Sequence, residues 1–457
     1  MLNKELFLHS GGAENETVDM RDSIINSQDN LNITGTIYYV SQNGNDENDG
    51  MSIQNAKKTL LSDIFVSDVL KPGDAVLFER GGIWRTEESI ITKTGVTYGA
   101  YGKGKKPEIY ASKKNYAQKS LWQQSVLNEN IWIAQMPHND VGIVVFDENS
   151  VGEKRIALNF ADASLKENGE FYHDIFRGHL YLYCDGGNPG EVYNSIEIGL
   201  NNPIIRMQGD DIVIDNLCLK YSGAFGITAG NNHNIIISNC EFGWIGGSIA
   251  AYRSNGNTFI QYGNAIEFWY RCYNVSVTNC WIHQIYDAAF TFQGKGKDIA
   301  EFLDISFTNN LIEYCSMNFE CWAGNQGIGS KIHNVLVKEN IFRFSGYGWG
   351  GLYRRDKGNQ AFILFWNNHF EDMQNFVITD NVFDCADSNF VWGVSPATQN
   401  GLVVTNNIYY QKKTSGVNPY TEVIRSSGRY AENQFEFETA IKEYEVTPKK
   451  IKWLDNM

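Results

Sequence analysis

Seven segments of this 457-residue chain repeat one pattern: IVIDNLCL (212–219), IIISNCEF (235–242), VSVTNCWI (275–282), ISFTNNLI (305–312), VLVKENIF (335–342), FVITDNVF (376–383) and LVVTNNIY (402–409). Each has alternating apolar positions, a polar pair, a recurring column residue and a second apolar run. The starts lie 23, 40, 30, 30, 41 and 26 residues apart. Strand, polar corner and strand at such periods predict the rungs of a parallel β-solenoid. The rungs are too short for four-stranded propeller blades, and the helical segments a βαβ fold needs are absent between them.

The column after the polar pair reads Leu217, Cys240, Cys280, Asn310, Asn340, Asn381 and Asn407. Stacked amides can hydrogen-bond along the axis, and Asn tolerates the left-handed backbone expected at the corner. Cys240 and Cys280 should stand about one strand spacing apart, ~4.8 Å, which permits either a disulfide or a reduced stacked pair. No CxxC pair occurs among the eight cysteines, so zinc-ribbon and thioredoxin-like readings fail.

Composition narrows the function classes. Hydrophobic residues make up 42% and charged residues 20%, which excludes a disordered chain. Lys+Arg is 38 against Asp+Glu 53, and the net charge of −15 argues against a nucleic-acid partner. No apolar run reaches the ~18–20 residues of a membrane span. Residues 1–10 carry neither the apolar stretch nor the cleavage site of a secretory signal.

Together with YYVSQNGNDENDG (38–50), LKPGDAVLFERGGIWR (70–85) and TYGAYGKGKKPEI (97–109), the rungs resemble the pectate-lyase-like right-handed parallel β-helix proteins. The resemblance spans roughly 36–410. It implies an all-β fold, a carbohydrate-active enzyme (polysaccharide lyase or glycoside hydrolase) and a secreted or cell-surface location. The expected organisation is a flexible segment at 1–35, then an N-terminal cap and first coils at 36–115, with a helix near 56–69. An inserted β-rich subdomain follows at 116–200, the β-helix core at 201–412 and a C-terminal cap at 413–457. Oligomeric state is not readable.

Residues at equal positions of neighbouring rungs become spatial neighbours. Aligning GNAIEFWYR (263–271), DAAFTFQG (287–294), NFECWAG (318–324), GGLYRRDKG (350–358) and NFVWGV (389–394) produces one polar and aromatic strip. It contains Glu267, Trp269, Gln293, Glu320, Trp322, Arg354, Arg355, Asp356 and Trp392, flanked by Tyr286, Asp287, Tyr347 and Trp349. Indoles pack on sugar C–H faces and paired polar groups meet hydroxyls, so the strip predicts a polysaccharide or oligosaccharide groove. Glu267 and Glu320 fall two rungs apart, roughly 9–10 Å between Cα atoms. That suits a glycosidase acid and base, whose carboxyls stand about 6.5–9.5 Å apart, with Asp287 as a third acid. Elimination on a uronic-acid polymer is the other chemistry left open. Arg354, Arg355 or Tyr286 would then serve substrate or proton, and the three carboxylates would hold a Ca²⁺. A non-catalytic glycan-binding surface protein is the remaining class. No separate metal-ligand pattern stands out.

Overall fold

The computed structural model describes residues 9–29, 31–86, 88–156, 165–252, 259–294, 298–323, 329–354, 360–366, 370–413, 421–424 and 430–454. Three ten-stranded sheets run the length of the chain, and each coil contributes one short strand to each sheet. Ile212–Asp215, Cys218–Lys220 and Ile227–Gly230 represent the first, second and third sheets in one coil. Strands within each sheet pair in parallel, save the last pair of the third sheet, Thr421–Ile424 with Tyr430–Ala431. The fold is a right-handed parallel β-helix, the hand that parallel crossovers take.

The seven-fold sequence pattern is explained by what it buries. Alternate residues of each strand point into one continuous apolar column, where Phe342, Phe383 and Tyr409 stack at 5.2 and 5.3 Å. Asn310, Asn340, Asn381 and Asn407 form a buried amide ladder. Each side-chain oxygen from Asn340 onward accepts the backbone and side-chain N–H groups of the Asn one coil earlier, at 2.9–3.0 Å. Glu445 ends the ladder by accepting both N–H groups of Asn407. The left-handed corner is one residue earlier than expected. Asn216, Asn239, Asn279, Asn309, Glu339, Asp380 and Asn406 take φ of 53–59°, which leaves the ladder residues free to turn inward. Cys240 and Cys280 are reduced, as are the other six cysteines.

Three expectations about the periphery need correction. Within 1–35, residues 9–29 are docked, not flexible: helix Glu14–Ile25 lays Met20 and Ile24 against Leu311 and Ile341 of the second sheet. Buried Arg343 ties this segment down through Glu14, Glu313 and Asp384, and Asp384 also accepts the N–H groups of Gly12 and Ala13. The helix near 56–69 shrinks to one turn, Asp63–Val66. Asp46 captures the N–H groups of Lys58 and Thr59 and the Thr59 hydroxyl, so residues 58–59 are held outside a helix. Leu60, Ile64 and Leu70 still cover the N-terminal end of the core. The strip strand assigned to GGLYRRDKG is the third error, treated with the site below.

Between Glu108–Tyr110 and Ile205–Arg206 the chain leaves the coil and builds a four-stranded and a three-stranded antiparallel sheet around their own apolar cluster. At the far end, helix Gln434–Tyr444 places Phe437, Ala440, Ile441 and Tyr444 on the last coil. Among the described residues, no helix is long and apolar enough to cross a membrane.

Candidate active site

On the third sheet, inward apolar residues alternate with outward ones, so register alone decides which outward side chains meet. One outward column reads Arg206, Thr228, Glu267, Thr291, Glu320, Leu364 and Trp392. A second reads Gly230, Trp269, Gln293 and Trp322. Glu267 and Glu320 therefore share a column two coils apart, about 10 Å between Cα atoms at the strand spacing.

The two carboxyl groups sit in matching cradles. Glu267 accepts from the Thr228 hydroxyl at 2.7 Å and the Asn264 amide at 3.1 Å. Glu320 accepts from the Gln293 amide at 2.7 Å and from the Trp366 indole N–H. Gln293 also donates to Thr291, the residue between the two acids. All these donors are neutral. With Glu267 only 2% and Glu320 only 4% exposed, burial dominates and raises both carboxyls from the usual range to about 7. The neighbouring Asp287 charge adds to the rise at Glu320, and Glu320 in turn adds to that at Glu267.

Asp287 lies on the short turn before Ala288–Gln293 and is ion-paired with Arg354. Arg354 reaches it from outside the column. GGLYRRDKG does not supply the strip strand; Trp349–Tyr353 is a helical turn, and Ala361–Phe365 takes the sheet position, with Leu364 in the column. The segment folds back because Trp349 donates its indole N–H to the Gln284 carbonyl. Gly350 also lies so close to the Tyr286 carbonyl that a Cβ there would stand 2.4 Å from it. Trp349 is consequently buried against Tyr286, away from the strip. Tyr347 also leaves the strip: its ring packs 4.6 Å from His9 in the cluster under the N-terminal segment. Tyr286 is buried, donates to Gln261 at 3.0 Å and has the Arg354 guanidinium 5.9 Å from its ring centre. Arg355 and Asp356 fall outside the described residues.

The indoles form two pairs. Trp269 and Trp322 meet edge to face at 6.4 Å, and Trp366 and Trp392 lie 5.1 Å apart. The strip alignment leaves out Trp366, Thr228 and Arg206, and passes over Asn264 inside GNAIEFWYR. AFILFW (361–366) reads as an apolar strand ending in Trp, and GITAG (226–230) as one more rung; both signals were present. Among the described residues no group of three His, Cys, Asp or Glu could hold a metal ion. The N–H and O–H groups aimed at Glu267 and Glu320, and the guanidinium on Asp287, are a donor set that does not fit Ca²⁺.

This architecture defines the chain as a right-handed parallel β-helix. Among solved structures, the complex of XylC with xylose is similar at 13% identity and TM-score 0.54, over 84% of this chain and 71% of that one. The lacto-N-biosidase of glycoside hydrolase family 136 from Eubacterium ramulus is similar at 12% identity and TM-score 0.44, over 92% of this chain and 67% of that one. Pectate lyase Pel9A is similar at 14% identity and TM-score 0.43, over 86% and 78%. At such identities the likeness is one of fold. No family model matches the chain, and no curated protein matches it.

Proposed function

We propose that the protein is a carbohydrate-active enzyme that hydrolyses glycosidic bonds with Glu267 and Glu320. The carrying observation is the shared column: two carboxyls two coils apart, in matching neutral cradles, beside two indole pairs. The separation suits direct displacement by water, with one carboxyl protonating the leaving oxygen and the other taking a proton from the attacking water. Because the cradles match, the asymmetry comes from Asp287. Its charge favours the protonated form of Glu320, so Glu320 is the acid and Glu267 the base. Arg354 holds Asp287 in place. Elimination is less well supported, since Arg354 is engaged by Asp287 and the Tyr286 hydroxyl by Gln261.

The test is a glycan panel read for new reducing ends and for the ultraviolet band of an unsaturated sugar. Hydrolysis gives reducing ends alone. Glu320→Gln should lower kcat by about 10²–10⁴-fold, the usual weight of a general acid, while the fold persists. An unsaturated product, or full activity in Glu267→Gln and Glu320→Gln alike, overturns the reading.

A further inference from the structure

The stretch from Phe344 to Arg354 brings Arg354 to Asp287, and its glycines Gly346, Gly348, Gly350 and Gly351 give the backbone little direction of its own. Contacts with other parts of the chain set its path. Gln284 accepts the backbone and indole N–H groups of Trp349, at 3.2 and 2.8 Å. Gly348 lies against the Tyr314 carbonyl, where a Cβ has no room. The turn closes as Leu352 and Arg354 donate their N–H groups to the Gly348 and Gly350 carbonyls, at 3.0 and 2.9 Å. Arg354 therefore leaves a fixed turn, with its guanidinium on Asp287 and 5.9 Å from the Tyr286 ring centre.

A further anchor comes from the far end of the chain. Tyr347 opens this turn, and among the described residues its ring meets Phe344 of the same stretch at 6.0 Å and His9 at 4.6 Å. The His9 ring also lies 5.6 Å from Phe344 and 6.1 Å from Tyr314, so the imidazole is seated in a cage of three rings. Beside the cage, Arg343 and Lys412 stand over Phe344 at 4.5 and 5.9 Å. Lys412 donates to the Ser10 carbonyl at 2.7 Å, which fixes the main chain next to His9. Burial, helped by the Lys412 charge, brings the imidazole down to about 4, so at neutral pH it is an uncharged ring. It acts by filling the cage, as an apolar ring of similar size would.

Resting on the reading of Glu320 as the acid, we propose that His9 is a positioning residue for the reaction: by filling the cage of Tyr314, Phe344 and Tyr347, it fixes the glycine-rich turn that holds Arg354 on Asp287. The docked N-terminal segment is then more than a cover for the second sheet. Loss of the imidazole removes the ring that packs on Tyr347 from outside the turn, the turn gains freedom, and the guanidinium drifts from Asp287. A small misplacement of that kind costs rate, because the Asp287 charge is what separates the roles of Glu320 and Glu267.

The experiment compares the full chain with His9→Ala, His9→Phe, Arg354→Gln and the double variant His9→Ala/Arg354→Gln. One readout is turnover of a glycan from the panel. The other is titration of the Glu320 carboxyl, followed by the fluorescence of Trp366, which donates to it, with Trp366→Phe as the blank. The parent midpoint should lie at about 7. In His9→Ala it should rise by about half a pH unit, because a cation withdrawn from Asp287 leaves the charge facing Glu320 less compensated. The same variant should lower kcat about tenfold and change KM less than about twofold. His9→Phe should restore both readouts. In the Arg354→Gln background His9→Ala should have no further effect, the mark of coupling through that guanidinium. A midpoint or a kcat unmoved by His9→Ala, no rescue by His9→Phe, or equal effects of His9→Ala with and without Arg354 overturns the proposal. A shifted midpoint in a protein that cuts no glycan would sink the hydrolase reading and leave the positioning role standing.

Discussion

Burial of Glu267 and Glu320 has a consequence for stability that is separate from turnover. Both carboxyls sit near 7 in the folded protein against about 4.5 in the unfolded chain. Between those values the native state binds more protons, so this contribution to stability is greatest below pH 4.5 and is lost as pH rises through 7. Glu267→Gln or Glu320→Gln should therefore raise the unfolding free energy at pH 8, by up to about 3 kcal/mol each, and change it little at pH 4.5. Chemical denaturation at the two pH values measures this, and a variant destabilised equally at both would contradict it. The shared column of these two residues was legible because identical spacing within successive rungs places them on one flank. Their partners were only half legible. Gln293 and Asn264 lie within the aligned segments, whereas Thr228 and Trp366 belong to stretches left out of the strip.

At the scale of the element, the amide ladder is where local sequence and tertiary stability meet. Asn340 accepts two N–H groups of Asn310, donates to the Phe307 carbonyl at 2.8 Å and donates to Asn381 at 2.9 Å. Asn340→Leu keeps the volume but removes hydrogen-bond partners from buried groups on the two flanking coils, so a loss of about 3 kcal/mol in unfolding free energy is expected by urea titration. An effect below about 1 kcal/mol would mean that the corner does not depend on the ladder. The recurring Asn column made this element readable from sequence. The helical turn at Trp349–Tyr353 was not readable, because GGLYRR carries no strand alternation and its direction is set by Tyr286 and Gln284, some 65 residues earlier in the chain.

Across the whole molecule, the N-terminal segment joins parts of the chain more than 300 residues apart. Asp384 is fully buried, accepts from Gly12 at 2.7 Å and Ala13 at 3.1 Å, and pairs with Arg343 at 3.0 Å. Asp384→Ala removes these acceptors, leaves buried Arg343 with one partner fewer and should cost about 3 kcal/mol. Limited proteolysis should then cut within residues 9–29, which the parent protein protects. An unchanged digestion pattern would show that the apolar contacts of Met20 and Ile24 suffice to hold the segment.

What the amino-acid order determined alone was the coil, since alternation, corner chemistry and period are local properties that repeat identically from rung to rung. It also placed Glu267 and Glu320 on one flank, because stacking translates equal positions into neighbours. Tertiary structure decided what covers that flank: which long turns fold inward, that Trp349 and Tyr347 are withdrawn, that Arg354 answers Asp287 and that Trp366 reaches Glu320. Turns of unequal length obey no period, and their paths are set by contacts with distant coils.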